Sequence, residues 1–193
     1  MRIIAGEHKG RRLVAPKGRG TRPTTDRVRE SLMSALVSAC GGLEGAVVLD
    51  AFAGSGALAL EVMSRGGAHA CLCECDRGAL KAIEENVRAL GYGRDQVRVC
   101  RTDVLKSGAP RLREPYSLVL LDPPYALEAR EVLGVVGRLA AAGALAPGAV
   151  VSYEHGAASN AAVEEAAAAS GLSLASRRAY GDTVIDLLER EGE

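Results

Sequence analysis

The stretch Leu118-Val119-Leu120-Leu121-Asp122-Pro123-Pro124-Tyr125 is the most informative part of this sequence. Its first four residues form a short apolar run, which is typical of a buried strand in a parallel sheet. The two prolines end that strand, because neither can donate a hydrogen bond to a neighbouring strand. The stretch therefore predicts a stiff turn at the carboxyl end of a strand, where open α/β sheets bind their ligands.

The predicted turn carries groups suited to a flat ligand that bears an amine. Asp122 and the carbonyl of Pro123 can accept hydrogen bonds from an amino group, and the ring of Tyr125 can stack on a base. Pro124 restricts the residue before it to an extended conformation. We therefore predict that residues 122–125 form a catalytic site. The alternative is an ordinary turn with an acid and an aromatic residue, since short motifs also match by chance.

Around this turn, short apolar runs alternate with amphipathic segments. Such alternation predicts an α/β fold with a mostly parallel sheet and helices on both faces. The last two predicted strands are close together in sequence, and we expect them to form an antiparallel hairpin at the sheet edge. The predicted strands are 47–49, 70–74, 97–100, 118–121, 149–153, 172–177 and 182–188, and the predicted helices are 57–64, 77–90, 127–142 and 158–170.

The first 29 residues are strongly basic. They contain nine Lys or Arg against two acidic residues, a net charge of +7, which the rest of the chain balances. Residues 3–14 are predicted to form a basic hairpin, and a helix is predicted to begin after Thr24 or Thr25, with Asp26 in its first turn. The charge predicts a surface that binds a phosphate-rich partner, with a solvated, disordered tail as the alternative.

A second candidate ligand-binding turn, Asp50-Ala51-Phe52-Ala53-Gly54-Ser55-Gly56, follows the first predicted strand. Glycines allow a tight turn and a close approach of a ligand to a helix N-terminus. Residues 54–59 fit the dinucleotide fingerprint G-x-G-x-x-A. However, the carboxylate of Asp50 would repel a pyrophosphate, which favours an amino-acid-bearing nucleoside such as S-adenosylmethionine. A purely structural turn is the third alternative.

Acidic residues also follow the next two predicted strands. Glu74 closes the second strand and is suited to accept hydrogen bonds from both ribose hydroxyls, with Asp76 as the neighbouring candidate. Both could instead be ordinary charges at a helix start. Asp103 follows the third strand and could accept the amino group of adenine. The predicted cofactor-binding residues are Asp50, Phe52, Ala53, Gly54, Ser55, Gly56, Glu74, Asp103 and Asp122.

In this order, the sites resemble those of class I S-adenosylmethionine-dependent methyltransferases that act on exocyclic amines of nucleobases. Residues 2–6, 22–30, 52–58 and 180–183 are also similar to the bacterial 16S ribosomal RNA guanine-N2 methyltransferase family. The resemblance covers nearly the whole chain. Its most specific part is Arg22-Pro23-Thr24-Thr25-Asp26-Arg27-Val28-Arg29-Glu30. The family often has Phe in place of Tyr125, and either ring can stack.

The resemblance implies a Rossmann-like class I methyltransferase fold with a seven-stranded sheet. It also implies that S-adenosylmethionine methylates the 2-amino group of one guanosine in 16S ribosomal RNA or in a small-subunit assembly intermediate. Asp122, Pro123, Pro124 and Tyr125 would then position the base, with no metal. An adenine-N6 methyltransferase acting on DNA or RNA is an alternative, and a nicotinamide-dependent reductase is another. The basic residues expected to bind RNA phosphates are Arg2, Lys9, Arg11, Arg12, Arg22, Arg27 and Arg29.

Length and composition fit one domain, with a basic N-terminal part at 1–45 and a catalytic core at 46–193. No stretch is apolar enough to cross a membrane and the first residues lack a signal-peptide core, so we expect a cytoplasmic protein, which we also expect to be a monomer. Cys71, Cys73 and Cys75 alternate along one short segment. Without the spacing of metal ligands, they are expected to be small buried thiols.

Overall fold

The structure is a computed structural model that describes residues 1–16 and 26–190. The helices within these ranges are α1 (Asp26–Ala39), α2 (Ala57–Ser64), α3 (Arg77–Leu90), α4 (Val104–Ser107), α5 (Ala129–Ala141) and α6 (Asn160–Ala169). The strands are β1 (Val47–Asp50), β2 (His69–Glu74), β3 (Val97–Arg101), β4 (Tyr116–Leu121), β5 (Leu145–Gly156), β6 (Leu172–Tyr180) and β7 (Thr183–Arg190). The predicted cap at Thr24 or Thr25 lies outside the described residues.

The strands form one sheet in the order β3-β2-β1-β4-β5-β7-β6. The first five strands run parallel, whereas β7 runs antiparallel to both β5 and β6. The prediction of a mostly parallel seven-stranded sheet with a C-terminal antiparallel hairpin is therefore confirmed. The apolar β7 lies inside the sheet and the more polar β6 forms the edge, because β7 buries side chains on both faces of the sheet, such as Leu187 on one and Leu188 on the other.

Helices cover both faces of this sheet, as the alternating pattern predicted. On one face, Leu133 of α5 and Val163 of α6 pack with the inward side chains of β4 and β5. On the other face, Leu36 of α1, Val62 of α2 and Ile83 of α3 pack against the alternate strand residues. Because both faces are buried, the central strands are apolar along nearly their whole length.

Several predicted boundaries differ from the structure. Strand β5 begins four residues earlier and ends three residues later than predicted, and it carries a register shift against β4 near Ser117. Helix α5 begins two residues later than the apolar pattern suggests. The short helix α4 was not predicted, because four residues give too little periodicity to recognise. A 3-10 turn at Ala157–Ser159 precedes α6.

We call residues 1–16 the arm. The two halves of the predicted hairpin pair through one isolated antiparallel bridge, between Arg2 and Arg12, and through backbone hydrogen bonds that include Ile3 N–H to the Arg11 carbonyl, although residues 1–16 contain no regular strand. Ile3 and Leu13 are nonetheless buried, against a cluster that includes Leu60 of α2 and Leu90 of α3. The arm is therefore paired within itself and also held against the helices that cover the sheet.

Glu61 and Ser64 of α2 fix the backbone of the arm. The Glu61 side chain is 1% exposed and accepts hydrogen bonds from the N–H groups of Ile4, at 2.7 Å, and Ala5, at 3.0 Å. The Ser64 hydroxyl donates to the carbonyl of Ala5. Gly6 has a φ of 84°, and a Cβ atom there would lie 1.7 Å from the Ser64 carbonyl oxygen. Only glycine therefore allows the arm to approach α2 this closely.

No helix in residues 1–16 and 26–190 is both long enough and apolar enough to cross a membrane.

Candidate active site

The predicted catalytic turn lies at the carboxyl end of β4. Pro123 is buried, whereas Tyr125 is 41% exposed. The Tyr125 hydroxyl donates to Glu154 Oε1 at 3.0 Å and lies 2.9 Å from the Thr183 hydroxyl. A Cβ atom added at Gly156 would lie 3.5 Å from the Tyr125 ring, so one side of the ring packs against the β5 backbone. The ring is thus held in place while part of it stays accessible for stacking.

Asp122 and Asp50 bring two carboxylates together at this edge. Asp50 pairs with Leu120 across β1 and β4, so Asp50 and Asp122 lie on the same face of the sheet. Burial raises the pKa of Asp122 to about 7, and the negative charges of Glu154 and Asp50 add to the rise. The Asp122 carboxyl group therefore holds a proton more readily than an exposed aspartate does.

Asp50 is 1% exposed, and neither of its carboxylate oxygens has a hydrogen-bond partner of normal geometry among the described residues. Burial raises the pKa of Asp50 to about 7; the nearby N–H groups of Ala59 and Phe52 oppose the rise, and the negative charge of Glu74 adds to it. A buried carboxyl group without a partner is unfavourable unless a ligand supplies a donor or a positive charge.

The glycine-rich turn has the shape that the sequence predicted. Gly54 and Gly56 have φ values of 54° and 77°, which L-residues rarely adopt. A Cβ atom at Gly54 would have no neighbour within 4 Å, whereas one at Gly56 would lie 2.7 Å from the Leu72 side chain. Gly56 therefore allows α2 to pack close to the sheet, and Gly54 leaves an open approach to the turn. Phe52 packs on the core, and Ala53 and Ser55 are buried.

The acids that follow β2 and β3 lie at the same sheet edge but already make contacts within the chain. Glu74 accepts hydrogen bonds from the N–H groups of Gly54, Cys75 and Asp76, at 2.7–2.9 Å. Asp103 caps α4 through the Leu105 N–H group. Glu74 therefore helps to shape the glycine-rich turn, and the roles predicted for both acids toward a nucleoside stay predictions.

The structure corrects one predicted RNA contact. Arg29 is 3% exposed and donates a hydrogen bond to the Arg2 carbonyl at 3.0 Å, so its side chain cannot reach a phosphate. Arg22 lies outside the described residues. The remaining candidates are exposed, four on the arm and one at the start of α1; they are Arg2, Lys9, Arg11, Arg12 and Arg27.

The structure adds three residues that the sequence analysis missed. Glu154 and Thr183 hold the Tyr125 hydroxyl. Glu154 directly follows the predicted strand 149–153, a signal similar to the one that identified Asp122, although β5 itself continues to Gly156. Asn86 binds both the N–H and the carbonyl of Val14 and donates to the Ser55 carbonyl at 2.9 Å. It therefore joins the arm to the glycine-rich turn. No sequence pattern marks Asn86 apart from its place on the buried face of α3.

The cysteines divide by position. Cys71 and Cys73 are buried as expected, whereas Cys75 lies beyond the end of β2 and is exposed. Across the part of the chain that the structure describes, no three His, Cys, Asp or Glu residues are placed to hold a metal ion.

The sheet order, the reversed β7 and the acids at the carboxyl edge of the parallel strands are those of a class I methyltransferase fold. The dinucleotide-binding fold of the reductase alternative has the strand order 3-2-1-4-5-6. It has no counterpart of β7, which here lies between β5 and β6. A solved structure described as the putative methyltransferase yhhF from Escherichia coli matches with a TM-score of 0.79 and 32% identity, covering 100% of this chain and 99% of that one.

Residues 1–189 match the family described as "Conserved hypothetical protein 95", and this chain belongs to that family. The chain is 41% identical over 125 residues to ribosomal RNA small subunit methyltransferase D from Escherichia coli strain K12. The aligned residues cover 65% of this chain and 60% of the relative. It is 37% identical over 127 residues to putative rRNA methyltransferase YlbH from Bacillus subtilis, and these residues cover 65% of this chain and 67% of that relative. The matched part thus spans about three fifths of the length of the Escherichia coli relative.

Proposed function

We propose that this protein transfers the methyl group of S-adenosylmethionine to the 2-amino group of a guanosine in 16S ribosomal RNA, free or within a small-subunit assembly intermediate. The names of its relatives support ribosomal RNA as the substrate. The observation that carries the proposal is the turn after β4, which combines a partly buried carboxylate, a peptide carbonyl and an accessible ring beside the unpartnered carboxyl of Asp50.

The residues of the glycine-rich turn fit the cofactor. Asp50 lacks a hydrogen-bond partner among the described residues, and the ammonium group of the cofactor's methionine part would supply one. The open side of Gly54 allows a ligand to approach the backbone closely. Glu74 and Asp103 would bind the ribose and adenine at the ends of the neighbouring strands.

When bound, S-adenosylmethionine supplies a methyl group that is already activated, so the protein mainly has to align the amine. The Asp122 carboxylate and the Pro123 carbonyl would accept its two N–H bonds, which would direct the nitrogen lone pair toward the methyl group. The positive charge that develops on the nitrogen would be stabilised by the carboxylate until the nitrogen loses one proton, and the products would be the methylated amine and S-adenosylhomocysteine. The Tyr125 ring would stack on the base after the base has left its helix.

The exposed cations of the arm and of α1 would bind the phosphates that flank the target. This role rests on their exposure and on their concentration in one segment. We further propose that the protein acts as a monomer. Measurement of its molar mass in solution by sedimentation, with and without RNA, would test this. A dimer at working concentrations would contradict this part of the proposal.

The central experiment is methylation of ribosomal RNA, and of assembly intermediates, purified from cells that lack this protein. The expected product is N2-methylguanosine at one position of 16S ribosomal RNA. Asp122→Asn should lower the rate about 100-fold or more, since an aligned electrostatic partner is lost, whereas Asp95→Asn, at an exposed position, should not. Absence of methylguanosine, or calorimetric binding of a nicotinamide cofactor in place of S-adenosylmethionine, would contradict the proposal.

A further inference from the structure

Glu154 and Asp122 are neighbours on adjacent parallel strands. In the register of β4 and β5, Leu120 pairs with Ser152 and Leu121 pairs with Tyr153, so Asp122 and Glu154 come next. Neighbouring strands lie about 4.8 Å apart, and paired residues share a face. The contribution of Glu154 to the raised pKa of Asp122 agrees with this closeness. Two acidic side chains therefore stand next to each other where the proposed base would bind.

The Glu154 carboxylate is oriented by the Tyr125 hydroxyl, which is itself in contact with a second hydroxyl. Tyr125 donates to Glu154 Oε1 at 3.0 Å, and the Tyr125 oxygen lies 2.9 Å from the hydroxyl of Thr183 on β7. Glu154 itself is partly buried, between β4 on one side and β7 on the other. A carboxylate held by this chain of contacts is a rigid acceptor rather than a freely moving surface charge.

Guanine and adenine differ in what they present beside the reactive amine. In guanine, the N1–H group lies next to the 2-amino group, so two donors point the same way. In adenine, the neighbour of the 6-amino group is the N1 lone pair, an acceptor. A second carboxylate beside Asp122 gains a charge-assisted hydrogen bond from guanine but faces a lone pair in adenine.

Resting on the proposed function, the geometry points to Glu154 as the residue that accepts the N1–H group of guanine while Asp122 and the Pro123 carbonyl hold the 2-amino group. Glu154 is thus a specificity-determining residue, and the pair of carboxylates selects guanine over adenine. The hydroxyl of Tyr125 acts through Glu154 by fixing its direction, in addition to the stacking role of the ring.

The test compares guanine with 2-aminopurine at the target position of the RNA. 2-Aminopurine keeps the 2-amino group but has a lone pair in place of N1–H. The wild-type protein should prefer guanine by about tenfold or more in kcat/KM, since one good pair of base contacts gives discrimination of that order. Glu154→Gln, whose amide can donate to N1, should lower the rate on guanine and raise the relative rate on 2-aminopurine. 2-Aminopurine also lacks the O6 atom of guanine. Because that substrate difference is the same for the wild type and for Glu154→Gln, the change in the ratio between the two proteins isolates N1.

Two further variants keep the inference testable. Tyr125→Phe retains the ring but releases Glu154, and it should shift the ratio in the same direction by a smaller factor, even if Glu154→Gln does not fold. Glu131→Gln, on the exposed face of α5, should leave the ratio unchanged. An identical ratio in wild type, Glu154→Gln and Tyr125→Phe would overturn this inference while the methylation of guanine by the wild type upheld the proposed function. A wild type inactive on guanine would overturn both.

Discussion

The docking of the arm can be tested by adding one methyl group at each of two glycines. Gly6 and Gly10 have nearly the same φ, 84° and 83°, so Gly→Ala places an L-residue in the left-handed region at both positions. The cost of that strain is about 1 kcal/mol in each case. The surroundings differ, because a Cβ atom at Gly6 would lie 1.7 Å from the Ser64 carbonyl oxygen, whereas one at Gly10 has nothing within 4 Å.

The clash at Gly6 can be relieved only if the arm moves away from α2. The hydrogen bond from the Glu7 N–H group to the Ser64 oxygen, 2.7 Å long, cannot persist, and the bonds from Ile4 and Ala5 to Glu61 are strained with it. Hydrogen bonds to a charged group contribute about 1.5–3 kcal/mol each. We therefore expect Gly6→Ala to lower the free energy of unfolding by about 3–5 kcal/mol, and Gly10→Ala by about 1 kcal/mol.

Urea unfolding of the two variants measures this difference, and amide hydrogen exchange locates it. In Gly6→Ala, the N–H groups of Ile4 and Ala5 should lose protection, whereas in Gly10→Ala they should retain it. RNA affinity should fall in Gly6→Ala because the arm no longer presents its cations in a fixed position. Equal destabilisation by the two substitutions, with equal amide protection, would refute the docking of the arm through Gly6.

Three further predictions concern the site and the arm. Burial raises the pKa of Asp50 to about 7, so the free energy of unfolding of the cofactor-free protein should fall by up to about 4 kcal/mol as pH rises from about 4 to 7. Asp50→Asn should remove this part of the pH dependence, which urea unfolding at several pH values measures. Asn86→Ala should lower the free energy of unfolding by about 2–4 kcal/mol and weaken calorimetric binding of S-adenosylmethionine, since its amide supports the glycine-rich turn. Neutralising Arg11 and Arg12 should weaken RNA binding and flatten its salt dependence without changing cofactor affinity.

The sign of the pH effect follows from proton binding. The folded protein holds a proton on Asp50 that the unfolded chain releases near its ordinary value of 3.8, so raising the pH favours the unfolded chain until the folded carboxyl also ionises. A pH profile of Asp50→Asn that parallels the wild type would contradict this account. An unchanged salt slope in the Arg11 and Arg12 variant would remove the arm from the RNA-binding surface, and unaltered cofactor affinity in Asn86→Ala would separate that residue from the turn.

The parts of the site that sequence predicted well are those in which a strand leads directly into a turn. The apolar run before Asp122, and the shorter one before Asp50, each place a polar residue at the carboxyl end of a parallel strand. Chain direction and strand order then bring such residues to one edge, so few distances need to be known. Glu154 also follows an apolar stretch, residues 149–153, but β5 continues past it to Gly156, so no turn marks it.

The prediction that Arg29 binds RNA phosphates was wrong because it used the charge of the residue and not the helical periodicity around it. Leu32, Met33 and Leu36 lie three, four and seven residues further on, so Arg29 shares their buried face, whereas Arg27 points elsewhere. That signal was present in the sequence. The partner of Arg29, the carbonyl of Arg2, was not, because a contact across 27 residues depends on how the arm folds back.

The contacts of Glu61 and Asn86 could not be predicted from sequence for a related reason. Each is a polar residue in an otherwise buried part of a helix, which signals a partner without identifying it. The partners that join them to the arm are backbone groups, and any residue type supplies such groups. Only the three-dimensional path of residues 1–16 shows which amides and carbonyls they meet.

The contact between Tyr125 and Thr183 joins positions 58 residues apart. While the protein is being synthesised, the parallel strands and the glycine-rich turn emerge from the ribosome well before β7 does. The base-binding side of the site lacks its last support until the C-terminal hairpin has joined the sheet, a non-local pairing that forms slowly. Under the proposed function, newly made chains should therefore acquire the capacity to bind a nucleoside before they can hold a base.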